Sequence, residues 1–144
     1  MLLSFSKTEF RNRIRSGIKV HTIRDDKTNR WKVGNKIHFW LGNPRNTRGK
    51  TKPYQFGIGE CSRVETIRMD FAIPEDWQND IVYMGDDIVL KSENELNALA
   101  KNDGFDNWNQ MKLWFDNPDK QYFGKIIFWK DFELTANDDG STVF

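Results

Sequence analysis

Apolar side chains recur at every second position in Lys36-Ile37-His38-Phe39-Trp40-Leu41, directly after the turn signal Gly34-Asn35. That period predicts a strand with Ile37, Phe39 and Leu41 on its core face. Two further runs rich in β-branched and aromatic residues follow the same logic. Tyr54 to Met69 offers Phe56, Ile58, Val64 and Ile67 as strand positions, and Tyr122 to Phe132 closes the chain as a long strand. Gly57 and Gly59 interrupt the first of these runs, which marks a bulge or a close backbone approach. A shorter strand is expected over Asp86 to Lys91, entered from Gly85-Asp86. The stretch from Ile73 to Tyr83, with Pro74 and Trp77, reads as a short helical or loop insertion.

Helical signals fall between these strands. After the short apolar run Leu2 to Phe5, Ser6-Lys7-Thr8-Glu9 has the S-x-x-E form of a capping box, so a helix should begin near Lys7, bury Phe10 and Ile14, and end at Gly17. Ser92-Glu93-Asn94-Glu95 repeats the box ahead of the Leu96, Leu99 and Ala100 stripe, which stops at Gly104. Asn107 caps a third helix with Gln110 at the matching position and Met111, Trp114 and Phe115 on its buried side. Irregularly spaced strands with helices set among them predict an α+β domain around a small barrel or curled sheet.

A chain of 144 residues fits one domain, here expected over residues 1–133, with 134–144 a mobile tail. Its single Cys61 and two scattered histidines give no metal-ligand spacing and no internal disulfide, and no cofactor motif is present. No apolar run approaches the roughly 20 residues of a membrane span, so a soluble, cytoplasmic protein is expected. Net charge is +1, but it is divided unevenly: residues 1–72 carry 16 Lys and Arg against 6 Asp and Glu, and residues 73–144 carry 6 against 15. The first part is therefore the expected anion-binding part, unless the two interleave on folding.

The densest chemistry lies in Gly17-Ile18-Lys19-Val20-His21-Thr22-Ile23-Arg24. Lys19, Thr22 and Arg24 supply an amine, a hydroxyl and a guanidinium within six positions. Side chains three apart point to opposite faces of a strand, so convergence calls for a loop here. His21 could shuttle protons, or be an ordinary loop side chain. The run from Gly42 to Pro53 holds Arg45, Arg48, Lys50 and Lys52 with no acidic residue. It reads as an exposed loop that either tracks a nucleic-acid backbone or is simply solvated. Trp31 is the preferred candidate for stacking on a base, with core packing as the alternative.

The combination Gly17-x-Lys19-x-x-Thr22-Ile23-Arg24, Trp31-x-x-Gly34 and Ala100-x-x-Asp103-Gly104-Phe105 resembles the ASCH family of the PUA-like superfamily. The resemblance spans Leu2 to about Phe132. It implies a small β-barrel with flanking helices and a partner that is RNA, a nucleotide or a modified nucleoside. One bacterial branch consists of amidohydrolases that deacetylate N4-acetylcytidine with a Lys, a Thr and a Glu. The matching positions here are Lys19, Thr22 and Asp103, so the carboxylate is one methylene shorter, and a misplacement of about 1 Å is enough to slow a reaction on the order of a hundredfold.

Three functions are therefore carried forward. The first is a binding domain whose pocket is formed by Lys19, Thr22, Arg24 and Asp103. The second is an amidohydrolase with Thr22 as nucleophile, Lys19 as base and Asp103 as orienting carboxylate. The third is a protein-interaction adaptor that uses the charge division and no pocket chemistry. Against all three stands a purely structural role, in which the same groups form a buried ionic network.

Overall fold

A computed structural model describes residues 1–45, 52–72 and 80–135. In chain order the elements are β1 (Leu2–Phe5), α1 (Thr8–Arg15), β2 (His21–Arg24), β3 (Lys36–Leu41), β4 (Tyr54–Asp70), β5 (Ile81–Met84), β6 (Ile88–Leu90), α2 (Glu93–Asn102), α3 (Trp108–Phe115) and β7 (Gln121–Leu134). They make an α+β architecture with one seven-stranded sheet and three helices. No helix among the described residues is long and apolar enough to cross a membrane.

The 17-residue β4 organises the sheet. One edge pairs with β7 from Gly57 to Asp70, while the other pairs first with β3 and then, past Ile67, with β5. Register shifts between Ile58 and Glu60 and between Cys61 and Arg63 let so long a strand bend. A Cβ built on Gly57 would stand 2.3 Å from the Phe132 ring and 3.0 Å from the Glu133 carbonyl oxygen, so the backbone of β7 does pass close there. β1 adds to β3 in parallel, and β2 adds to β7.

Of the expected small barrel or curled sheet, the described strands form a sheet that is not closed. β1 and β2 have no ladder between them. In its place a side chain crosses: Arg24 Nη2 donates to the Ser4 carbonyl at 2.7 Å. The seam between these two strands holds the site described below.

Successive strand residues face opposite ways, and β7 uses this to serve two cores. Ile126 packs with Ile23, Ile67, Met69, Leu96, Leu99 and Met111, whereas Ile127 packs with Leu3, Phe5, Phe10, Ile37, Phe39 and Phe56. Pairing transmits the division to β2, where Ile23 opposite Ile126 joins the first core and Thr22 opposite Ile127 faces the second. Phe105, after α2, touches both.

Four sequence expectations shift. α1 begins at Thr8 behind Lys7, whose side chain makes no cap, because Ser6 stays with the end of β1 and lines the seam. Ile81 to Tyr83 is strand rather than insertion, and residues 73–79 lie outside the described residues. β7 runs on to Leu134, which still pairs with Gly57, so the expected tail does not begin at residue 134; residues 136–144 of it lie outside the described residues. Trp114 is 48 % exposed instead of core.

Candidate functional site

α2 ends in the arrangement that sets the site. Gly104 N–H bonds to the Lys101 carbonyl at 3.0 Å and Phe105 N–H to the Ala100 carbonyl at 2.9 Å, a Schellman closure with Gly104 at φ +95°. The turn leaves Asp103 as the C-cap, facing β2. Val20 N–H bonds to the Asn102 carbonyl at 2.8 Å and so docks the entry to β2 on the same helix end.

Lys19 is 2 % exposed. Its Nζ donates to the His21 carbonyl at 2.8 Å and to the Asp103 carbonyl, and lies 3.5 Å from Asp103 Oδ1. An ammonium at a helix C-terminus meets the negative end of the dipole. The Phe10 and Phe5 rings stand 5.0 and 5.7 Å from it. Burial still dominates, because removing an ammonium from water disfavours its charged form. It pulls the Lys19 pKa down from 10.5 to about 8, with Asp103 opposing and Arg24 adding to the fall.

Asp103 Oδ1 also takes a hydrogen bond from His21 Nδ1 at 2.9 Å. A carboxylate only accepts, so this nitrogen carries the proton. His21 meets Phe128 edge-on at 5.0 Å. It stands behind the carboxylate and does not line the cavity, so it is placed to hold Asp103 rather than to touch a ligand. The side chains that reach Asp103, His21 and Lys19, both meet Oδ1, and Asp103 also lines the cavity beside them.

That cavity, about 250 Å³, is lined by Lys19, Thr22, Arg24 and Asp103 together with Ser4 and Ser6 of the β1 end and an aromatic wall that includes Phe5, Phe10, Phe105 and Trp114. The four groups singled out in the sequence thus share one space. They reach it without the expected loop: Thr22 and Arg24 lie two apart on one face of β2, and Lys19, just before the strand, arrives through its long side chain. Arg24 stacks on Phe5 at 4.9 Å, and its Nε donates to Thr22 Oγ1 at 3.4 Å. Burial holds its guanidinium below its usual value. Lys19 Nζ is not among the hydrogen-bond partners of Thr22 Oγ1 among the described residues.

Trp31 goes elsewhere. It is buried in the β1–β3 core and borders a separate cavity with Asn29, Lys32, Glu65 and Lys125. Its position follows from Asp26, whose two oxygens accept from the Arg30 and Trp31 amides at 2.8 and 3.0 Å. Arg45 and Lys52 are exposed at the ends of the basic loop and do not line the Lys19 cavity, and Arg48 and Lys50 lie outside the described residues. Among the described residues no three His, Cys, Asp or Glu side chains gather as a metal site.

Sequence reasoning missed the aromatic wall. Phe105 was visible beside Asp103-Gly104 but had no assigned role, and Phe10 and Trp114 looked like core. Ser4 contributes its backbone carbonyl to Arg24, for which side-chain identity carries no signal. Comparison of the chain with protein-family models, with curated proteins and with solved structures found no match.

Proposed function

We propose that this chain is a PUA-like domain, with its barrel open at the β1–β2 seam, that binds a nucleoside or a nucleotide of RNA in the Lys19 cavity. The observation that carries the reading is the pairing of an aromatic wall with a mixed donor and acceptor floor. Arg24 and the hydroxyl of Thr22 supply donors, and the Asp103 carboxylate supplies an acceptor. Such a set complements the edge of a nucleobase, which presents carbonyl oxygens beside N–H groups, and rings such as Phe105 and Trp114 suit its face. Lys19 faces the Asp103 carboxylate and one Arg24 N–H is taken by the Ser4 carbonyl, so the floor offers separate hydrogen-bonding groups to a polar ring edge. A volume of about 250 Å³ suits one such ring system with its substituents.

The amidohydrolase reading has one feature in its favour: burial pulls the Lys19 pKa down to about 8, towards the range in which an amine can serve as a base. In that reading the neutral amine takes the Thr22 proton as Oγ1 attacks an acyl carbonyl. The C–N bond then breaks as the proton passes to the leaving amine, and water cleaves the resulting ester. Binding is preferred because Lys19 Nζ is turned to two backbone carbonyls instead of to Thr22 Oγ1.

Calorimetric titration with the four ribonucleosides and N4-acetylcytidine tests both. Saturable binding of at least one nucleoside, weakened in Thr22→Ala and in Asp103→Asn, is the expected result. Release of acetate from N4-acetylcytidine, abolished in Lys19→Ala and Thr22→Ala, would replace binding by hydrolysis. Absence of heat and of turnover with every nucleoside would overturn both readings.

A further inference from the structure

A second cavity, about 270 Å³, opens beside the first and shares Phe10, Phe105 and Trp114 with it. Its remaining lining comes from α1 and the residue before it, from the turn after α2 and from α3, and includes Lys7, Arg13, Gln110 and Leu113. We infer that this is a subsite for the nucleotide adjoining the one in the Lys19 cavity, so that the full ligand is single-stranded RNA or DNA rather than a free nucleoside. This rests on the nucleoside reading above.

Trp114 carries the inference. It is half-exposed at the wall common to both cavities, propped edge-on by Phe10 at 5.5 Å and by Phe105 at 5.8 Å. One face of its ring is covered by a side chain that can leave: Lys7 Nζ, 5.4 Å from the ring centroid. A base stacking there exchanges a solvent-exposed cation–π contact for the stronger base–indole contact. The freed Lys7 ammonium is then available to the phosphate that links the two nucleotides. Arg13 cannot take that part, since it is bound to the Gly104 carbonyl and to Asp106 at 2.6 Å. The lining is mostly polar, which suits a nucleotide better than the apolar face of a partner helix; of its two carboxylates, Asp106 is paired with Arg13.

The comparison to make is between the tightest nucleoside of the panel and the dinucleoside monophosphates that carry it joined to uridine on the 5′ or the 3′ side. Stacking predicts that one of the two dinucleotides binds roughly 5- to 100-fold tighter than the nucleoside. With one phosphate engaged, that gain should fall with salt at a log–log slope of about −0.7. Lys7→Ala should flatten the slope and Gln110→Ala should reduce the gain, both leaving nucleoside affinity unchanged. Nucleoside binding without any gain from either dinucleotide overturns this inference and leaves the nucleoside pocket standing. Failure of nucleosides and dinucleotides alike overturns the pocket as well.

Discussion

Two buried aspartates, Asp80 and Asp103, meet a lysine in the same chain and are finished differently. Asp80 is fully enclosed and both oxygens are taken. Oδ1 accepts from the Ala72 amide at 2.6 Å and Oδ2 from the Trp108 indole at 2.9 Å, while Lys112 Nζ reaches both. The result ties α3 to the end of β4 and leaves no capacity for anything else. Asp103 receives His21 and Lys19 on one oxygen and also lines a cavity. An oxygen that meets no protein donor keeps its lone pairs for a ligand, which neither oxygen of Asp80 can do. The difference separates a structural knot from a site.

Replacing each carboxylate is the sharpest way to break that comparison. Asp80→Ala should lower unfolding free energy by about 3–5 kcal/mol, because it strands Lys112 and the Trp108 indole in a dry place. Asp103→Asn keeps an oxygen for His21 Nδ1 and should cost under about 2 kcal/mol, yet weaken nucleoside binding roughly 10- to 100-fold. Urea melts alongside titration read both. Equal destabilisation by the two variants would erase the distinction.

Lys19 gives the next effect, in pH. Its folded pKa lies below its unfolded one, so between about 8 and 10.5 the unfolded chain holds the proton that the folded chain has lost. Stability contributed by this residue therefore rises with pH across that window, by on the order of 3 kcal/mol in total, and below it the fold bears the full cost of the buried charge. The unfolding free energy of the parent minus that of Lys19→Met should climb from pH 8 to 10.5. A flat difference would mean an ordinary lysine.

Gly104→Ala sharpens the comparison from the backbone side. The added methyl would stand 2.7 Å from Lys19 Cδ at a φ of +95°. It should cost about 1–3 kcal/mol and push Lys19 off its carbonyls, lowering affinity more than the stability loss explains. Unchanged affinity in a folded Gly104→Ala would show that the lysine does not set the pocket.

Local signals were legible where short-range chemistry decides. Ser92 and Glu95 form the reciprocal cap their spacing announces, Asn107 accepts from the Gln110 amide, and the Lys36–Leu41 strand falls where alternation put it. The same S-x-x-E pattern misled at Ser6, because the residue is claimed by the β1 end, a tertiary fact. Lys19, Thr22, Arg24 and Asp103 could be singled out by residue type and resemblance. Their meeting depends on the closure of α2 and on the unpaired seam, which arise from pairings far apart in the chain. Trp31 and Trp114 exchanged expected roles for a related reason: the Asp26 carboxylate draws the first inward, and the second sits where two cavities meet.

Backbone amide NMR of the isotope-labelled chain, recorded while the ribonucleosides and N4-acetylcytidine are added in turn, tests the central claim most directly. Binding at the seam predicts saturable shifts at Ser4, Ser6, Lys19, Thr22, Arg24, Asp103 and Phe105, with the amides around Asp80 and Trp31 unmoved. Shifts centred on the Trp31 cavity, or none with any of these nucleosides, would contradict it.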